Sequence, residues 1–181
     1  MLKNIITILF ITLIIYGLII LILTNFVFPR KFQDIVEHVT KQYNVDPNLV
    51  YAIIKQESDF KEDAKSRSGA IGLMQIMTTT ADEVVQTISS IDKNYYNLYD
   101  PETNISVGVK YISELIRKFE GNIYLTIAAY NGGMGNVQKW FEKDYSKYDS
   151  LDKVVEEIKF VETRKYVTNV IGYYNFYTKL Y

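Results

Sequence analysis

Glu57 ends an apolar run, Leu49-Val50-Tyr51-Ala52-Ile53-Ile54, and is followed at once by Ser58 among the groups that could support it. A carboxyl group at the edge of an apolar face loses hydration. Burial disfavours its charged form, so it can hold a proton to give away. Few groups compete with it for a chemical role. The chain has no cysteine and one histidine, His38, in a polar stretch away from any motif. Carboxylates, hydroxyls and amides are left to carry the chemistry. Asp59 is a poor partner for Glu57, because residues two apart on a helix point to different sides.

Three further stretches hold candidate groups. In Gly69-Ala70-Ile71-Gly72-Leu73-Met74-Gln75-Ile76-Met77, a single amide sits among large apolar residues. If buried, Gln75 must find hydrogen bonds. A polar ligand such as a sugar would satisfy it, and a tight turn feeding the core is the structural alternative. In Ala128-Ala129-Tyr130-Asn131-Gly132-Gly133-Met134-Gly135, the glycines suit a helix C-cap. That explanation leaves Tyr130-Asn131 unused; Tyr130 offers a hydroxyl and a flat face for a sugar ring or a carboxyl group. In Glu162-Thr163-Arg164-Lys165-Tyr166-Val167, Glu162 either stabilises a helix start or lies near the site.

The elements that must position these groups read as helices. Residues 31–43 form an amphipathic helix. Asp46-Pro47 caps and opens a helix running through Glu57. Residues 58–69 read as a loop, and Thr78-Thr79-Thr80 precedes a short helix from Ala81 to Ile88. Asn94 to Pro101 is a tyrosine-rich loop. Helices follow from Asn104 to Phe119, from Ile123 to Tyr130, and from Glu162 to Tyr181. No strand-period run and no internal repeat stands out, so the expected fold is mainly α.

The amino-terminal segment is of another kind. No charged side chain falls between Lys3 and Arg30, and Ile5 to Phe28 is almost wholly apolar. As a helix this segment spans about 36 Å, enough to cross a hydrocarbon core of about 30 Å. A cleaved signal peptide would have a shorter apolar region and a small-residue cleavage site, and the exit Thr24-Asn25-Phe26-Val27-Phe28-Pro29-Arg30 lacks one. An uncleaved anchor over residues 1–29 and one domain over residues 30–181 are expected. Lys3 on one flank and Arg30-Lys31 on the other leave orientation undecided by charge. With 20 Lys+Arg against 21 Asp+Glu, the chain is near neutral, and no basic surplus points to nucleic acid.

Taken in order, the motifs resemble one family. Glu57-Ser58, Ser66 with Gly69-Ala70-x-Gly72-Leu73-Met74-Gln75-Ile76-Met77, Asn104-Ile105 with Gly108 and Tyr111, Ala128-Ala129-Tyr130-Asn131, and Glu162-Thr163-Arg164-x-Tyr166-Val167 look like the soluble-lytic-transglycosylase catalytic domain. The likeness covers about residues 40–180. It implies a helical, lysozyme-like fold with the active site in a cleft. It implies a peptidoglycan substrate, cut between N-acetylmuramic acid and N-acetylglucosamine with a 1,6-anhydromuramoyl end formed. Glu57 matches the family's catalytic glutamate, acting first as acid and then as base. The match gives Ser66 and Gln75 as sugar contacts, Met74 and Met77 as cleft lining, and Tyr130, beside Asn131, as the group hydrogen-bonded to Glu57. Glu162 resembles a supporting carboxylate. No metal or cofactor is implied.

The chain departs from the family at Thr78, often proline, and at Gly132-Gly133-Met134-Gly135, often alanine-glycine-proline-glycine. A substrate outside the cytoplasmic membrane would put the domain on the outer side. Hydrolysis by a goose-type-lysozyme-like relative, or glycan binding without chemistry, are the alternative readings. No protein partner is indicated.

Overall fold

Aspartate-proline pairs start two of the helices. Asp46 accepts a 2.8 Å hydrogen bond from the Asn48 amide, and Asp100 a 2.9 Å bond from the Thr103 amide. In each the proline takes the first helical position, where no amide donor is needed. Asn122 caps a third helix through the Leu125 amide. The computed structural model describes residues 2–181. Its helices are α1 (Leu2–Ile22), α2 (Gln33–Tyr43), α3 (Pro47–Glu57), α4 (Thr78–Val85), α5 (Pro101–Lys118), α6 (Ile123–Gly132), α7 (Met134–Trp140), α8 (Leu151–Glu157) and α9 (Val161–Leu180). A wider π-helical turn, Leu23–Val27, prolongs α1, and a 3₁₀ turn covers Tyr145–Lys147.

Six consecutive residues of α3, Leu49 to Ile54, are buried, so α3 is apolar all round and runs through the core. Helix α9 packs most extensively on α3 and next on α6, while α2 lies across α5 and α3. Glu57 is the last residue of α3, where the core gives way to the surface. The fold is helical, as expected, and no strand occurs among the described residues. Two isolated β-bridges, Lys65 with Ile71 and Ile71 with Ile76, brace the segment after α3.

The boundaries differ from the sequence expectation in physical ways. Helix α5 starts at Pro101 rather than Asn104 because Asp100-Pro101 repeats the Asp46-Pro47 signal. The threonine triplet forms the first turn of α4 instead of preceding it. Helices α7 and α8, of seven residues each, were not anticipated; each buries one residue, Val137 and Val154, too few for a periodic signal.

Helix α1 is exposed along its length, with Ile8, Leu9, Phe10 and Leu13 each at least 60% exposed. The stretch Lys3–Val27 is long and apolar enough to cross a membrane. A free surface of this kind suits membrane association.

Candidate active site

The segment from Ser58 to Met77 folds into a loop held by hydrogen bonds rather than by regular structure. Ser58 ends α3, and its hydroxyl donates to the Leu73 carbonyl at 2.8 Å. Asp59 and Phe60 take left-handed backbone angles (φ 51° and 63°), which turn the chain sharply out of the helix. Ser66 closes the next turn twice. Its amide donates to the Ala70 carbonyl and its hydroxyl accepts from the Ala70 amide, both at 2.9 Å. Gly72, at φ 76°, is the tightest point. A Cβ there would collide with Asn104 and with the Leu98 carbonyl, so only glycine fits.

Asn104 is the buried brace of this loop. Its amide nitrogen donates to the carbonyls of Ile71 (2.9 Å) and Leu98 (2.8 Å), and its oxygen accepts from the Met74 amide (2.8 Å). Every bond is satisfied, which is what a fully buried amide requires. The Met74 carbonyl in turn accepts from the Tyr130 hydroxyl at 2.8 Å. The loop is thereby tied to α5 and α6.

Glu57 accepts a 2.6 Å hydrogen bond on Oε1 from the Tyr166 hydroxyl of α9. Burial pushes its pKa up to about 7; the Tyr166 hydrogen bond opposes that shift, and the Glu162 charge adds to it. Burial also raises Tyr166 and Tyr130 well above the usual phenol range, with the Glu57 charge contributing to both. Both tyrosines are therefore neutral donors at any physiological pH. Arrangements of this kind, a half-buried acid with a poised proton affinity, cluster at functional sites.

The sequence candidates fall into different places. Glu57, Ser58, Tyr130 and Asn131 are brought together. Three expectations are corrected in detail. Tyr130 bonds the Met74 carbonyl, not Glu57; Tyr166 takes that position because α9 lies directly against α3. The Met74 side chain lines no cleft. It is fully buried against Gly108, and the residue reaches the site through its backbone alone. Gln75 needs no sugar to satisfy its amide nitrogen, which donates to the carbonyls of Gly72 (2.9 Å) and Ala64 (3.2 Å) across the loop. It does so from a left-handed backbone (φ 47°), a strained conformation for a non-glycine residue.

Met77 is exposed on the rim, and Ser66 is half-buried. Glu162 is exposed in the first turn of α9, where its charge is felt at Glu57. Asn131 accepts from the Thr163 hydroxyl at 2.8 Å, joining α6 to α9. Thr163 and Tyr166 belong to the Glu162-Thr163-Arg164-x-Tyr166-Val167 pattern, and the roles they take depend on the packing of α9.

A hollow of about 190 Å³ opens beside these groups, lined among others by Gln75, Met77, Thr80, Tyr111, Tyr130 and Asn131. The Tyr111 and Tyr130 rings lie 5.7 Å apart in its wall. Glu57 is not a lining residue; Tyr130, which lines the hollow, feels the Glu57 charge. A larger hollow of about 270 Å³, lined by Phe119, Asn122 and Tyr145, contains none of these groups. Mixed aromatic and amide walls of this sort suit a sugar, which presents flat apolar faces and hydroxyl edges.

The family model for the transglycosylase SLT domain matches residues 34–153. The chain belongs to the transglycosylase SLT domain family. The soluble lytic murein transglycosylase of Salmonella typhimurium is 37% identical over 151 residues, covering 83% of this chain and 23% of its own length. The membrane-bound lytic murein transglycosylase C of Edwardsiella ictaluri is 33% identical over 180 residues, covering 87% and 50%. The crystal structure of the 70 kDa soluble lytic transglycosylase of Escherichia coli superposes with a TM-score of 0.76 at 36% identity, covering 84% of this chain and 25% of that one. This SLT chain thus spans about a quarter of the soluble relatives and half of the membrane-bound one.

Proposed function

We propose that this SLT protein is a membrane-anchored lytic transglycosylase. It cuts the β-1,4 bond between N-acetylmuramic acid and N-acetylglucosamine in peptidoglycan and leaves a 1,6-anhydromuramoyl end. The observation that carries the reading is the state of Glu57: a carboxyl held by Tyr166 on one oxygen, with its pKa near 7. Such a group can serve as acid and then as base near neutral pH.

In the first step Tyr166 occupies Oε1, so Oε2 carries the proton to the glycosidic oxygen as the bond to the anomeric carbon breaks. The substrate's own 2-acetamido group stabilises the oxocarbenium-like centre, which removes the need for a second enzyme carboxylate. In the second step the Glu57 carboxylate takes the proton of the C6 hydroxyl while O6 bonds to the anomeric carbon. Glu57 ends protonated, as it began, and no water is consumed. Tyr130 and Asn131 hold the wall beside the reacting sugar, Gln75 and Met77 the rim, and Ser66 the approach. Ser58 fixes the loop; burial keeps Glu57 protonated for the first step, and the Glu162 charge adds to that.

The residues up to about 29 form a single-pass anchor in this reading, and residues 30–181 form the catalytic domain. The domain lies on the outer face of the membrane, where peptidoglycan is, and the amino terminus lies inside. The exposed apolar helix and the likeness to a relative named membrane-bound support this.

Glu57→Gln is expected to lower glycan cleavage on the order of a thousandfold while the fold survives. Wild-type rates in that variant would end the proposal. Mass spectrometry of the digest separates the two possible products: anhydro ends support lytic transglycosylation, reducing ends support hydrolysis.

A further inference from the structure

The carboxyl end of α9 is fastened to the end of the apolar helix. The Tyr181 hydroxyl shares its one proton between the carbonyls of Phe28 (3.0 Å) and Thr24 (3.1 Å), and the Tyr177 hydroxyl donates to the Pro29 carbonyl (3.1 Å). The Phe28 ring stacks on Phe176 at 4.8 Å and meets Tyr177 edge-on at 5.6 Å. The Arg30 guanidinium lies 4.0 Å over the Tyr181 ring. No flexible linker separates the apolar helix from the domain; the chain passes through a π-helical turn straight into these contacts.

These contacts place the end of α9 at the depth where the span leaves the lipid. The surface there is aromatic and open: Phe26 is 78% exposed, Phe176 50% and Tyr181 46%, with Lys179 and Lys31 exposed beside them. Continuity with the lipid-facing surface of the span decides what covers it. Tyrosine, phenylalanine and lysine at this level match the headgroup layer, where aromatic rings sit and cations meet anionic lipid.

We propose that the Phe176–Tyr181 end of α9 docks in the outer headgroup layer beside the anchor, and that α9 is a strut fixing the cleft at a set height above the membrane. The inference rests on reading Lys3–Val27 as a membrane span. Tyr166, which holds Glu57, lies fifteen residues before Tyr181 on the same helix. At 1.5 Å per residue that is about 22 Å, the greatest height the strut allows above the docked end. Glu57 is thereby confined to glycan lying against the membrane, such as strands still linked to lipid, and kept from glycan deeper in the wall.

The test uses the full chain in vesicles of phosphatidylethanolamine and phosphatidylglycerol. The chain has no cysteine, so N175C and E156C each carry one nitroxide. Asn175 adjoins Phe176 on the exposed face, and Glu156 lies on α8, near the opposite end of α9. Docking predicts that collisions with oxygen, relative to an aqueous nickel chelate, are severalfold higher at 175 than at 156. Equal ratios overturn the docking.

The strut is read by competition between lipid-linked and free glycan strands on the same vesicles. Wild type should favour the lipid-linked strands severalfold, and a long Gly/Ser insert between Phe28 and Pro29, combined with Phe176→Ser and Tyr181→Ser to release the docked end, should abolish that preference. The same preference in both overturns the strut. The nitroxide readout needs no catalysis. Failure of docking therefore leaves wild-type cleavage standing, and full activity in E57Q removes the enzymatic reading while the depth profile stands.

Discussion

The carboxyl of Glu57 is set by opposing influences. Loss of water raises its proton affinity, and the Tyr166 hydroxyl, which bonds the charged form, lowers it. The first step of the proposed reaction needs the protonated form, so cleavage is expected to fall as pH rises through about 7. Tyr166→Phe removes the opposing bond, so that limb should move to higher pH. Loss of orientation should lower kcat about 10- to 100-fold. A pH–rate profile of the two proteins checks both effects. Stability follows the same linkage. Glu57 binds its proton more tightly folded than unfolded, so stability falls as pH rises from 4.5 to about 7. Glu57→Gln removes that cost. The variant should match wild type near pH 4 and exceed it by at most about 3 kcal/mol at pH 8. Thermal unfolding in detergent micelles at the two pH values measures the difference.

At the scale of elements, the loop between α3 and α4 depends on α5. Asn104 makes two hydrogen bonds with it, accepting from the Met74 amide and donating to the Ile71 carbonyl, and donates a third to the Leu98 carbonyl just before α5. Asn104→Ala leaves the Met74 amide and two carbonyls without their partner, at about 3 kcal/mol or more. Glycan cleavage should fall as well, because the Met74 carbonyl that holds Tyr130 would shift. A lowered melting temperature with unchanged activity would show that the loop positions itself without this brace. Helix α9 has a comparable function at its amino end, where Thr163 holds Asn131 and Tyr166 holds Glu57. One helix thus orients groups from both α6 and α3.

Across the whole molecule, one exposed apolar helix and one packed helical body meet at a set of aromatic contacts. The exposed helix is the most sensitive to charge. Ile15→Arg places a cation near the middle of the apolar stretch, at a cost of about 3 kcal/mol for membrane insertion. The variant should move from the carbonate-resistant membrane fraction towards the extractable one. Its body should still fold, because Ile15 is exposed and touches none of the core.

The sequence by itself determined much of this protein. The uncharged run before Arg30 defines the apolar helix, since no folded core buries it. Asp46-Pro47 defines the start of α3 because capping is local, and the apolar run before Glu57 announces a carboxyl at a core edge. Asp100-Pro101 carried the same local signal for α5. The tertiary structure alone decided which hydroxyl holds that carboxyl. Tyr130 and Tyr166 are alike as residues, and only the packing of α9 on α3 brings Tyr166 to Glu57. The same holds for Met74, whose side chain faces Gly108, and for Gln75, whose amide bridges its own loop. Helical period and capping act over a few residues and can be read in order along the chain. Contacts between residues a hundred positions apart depend on how helices pack, and no local pattern records them.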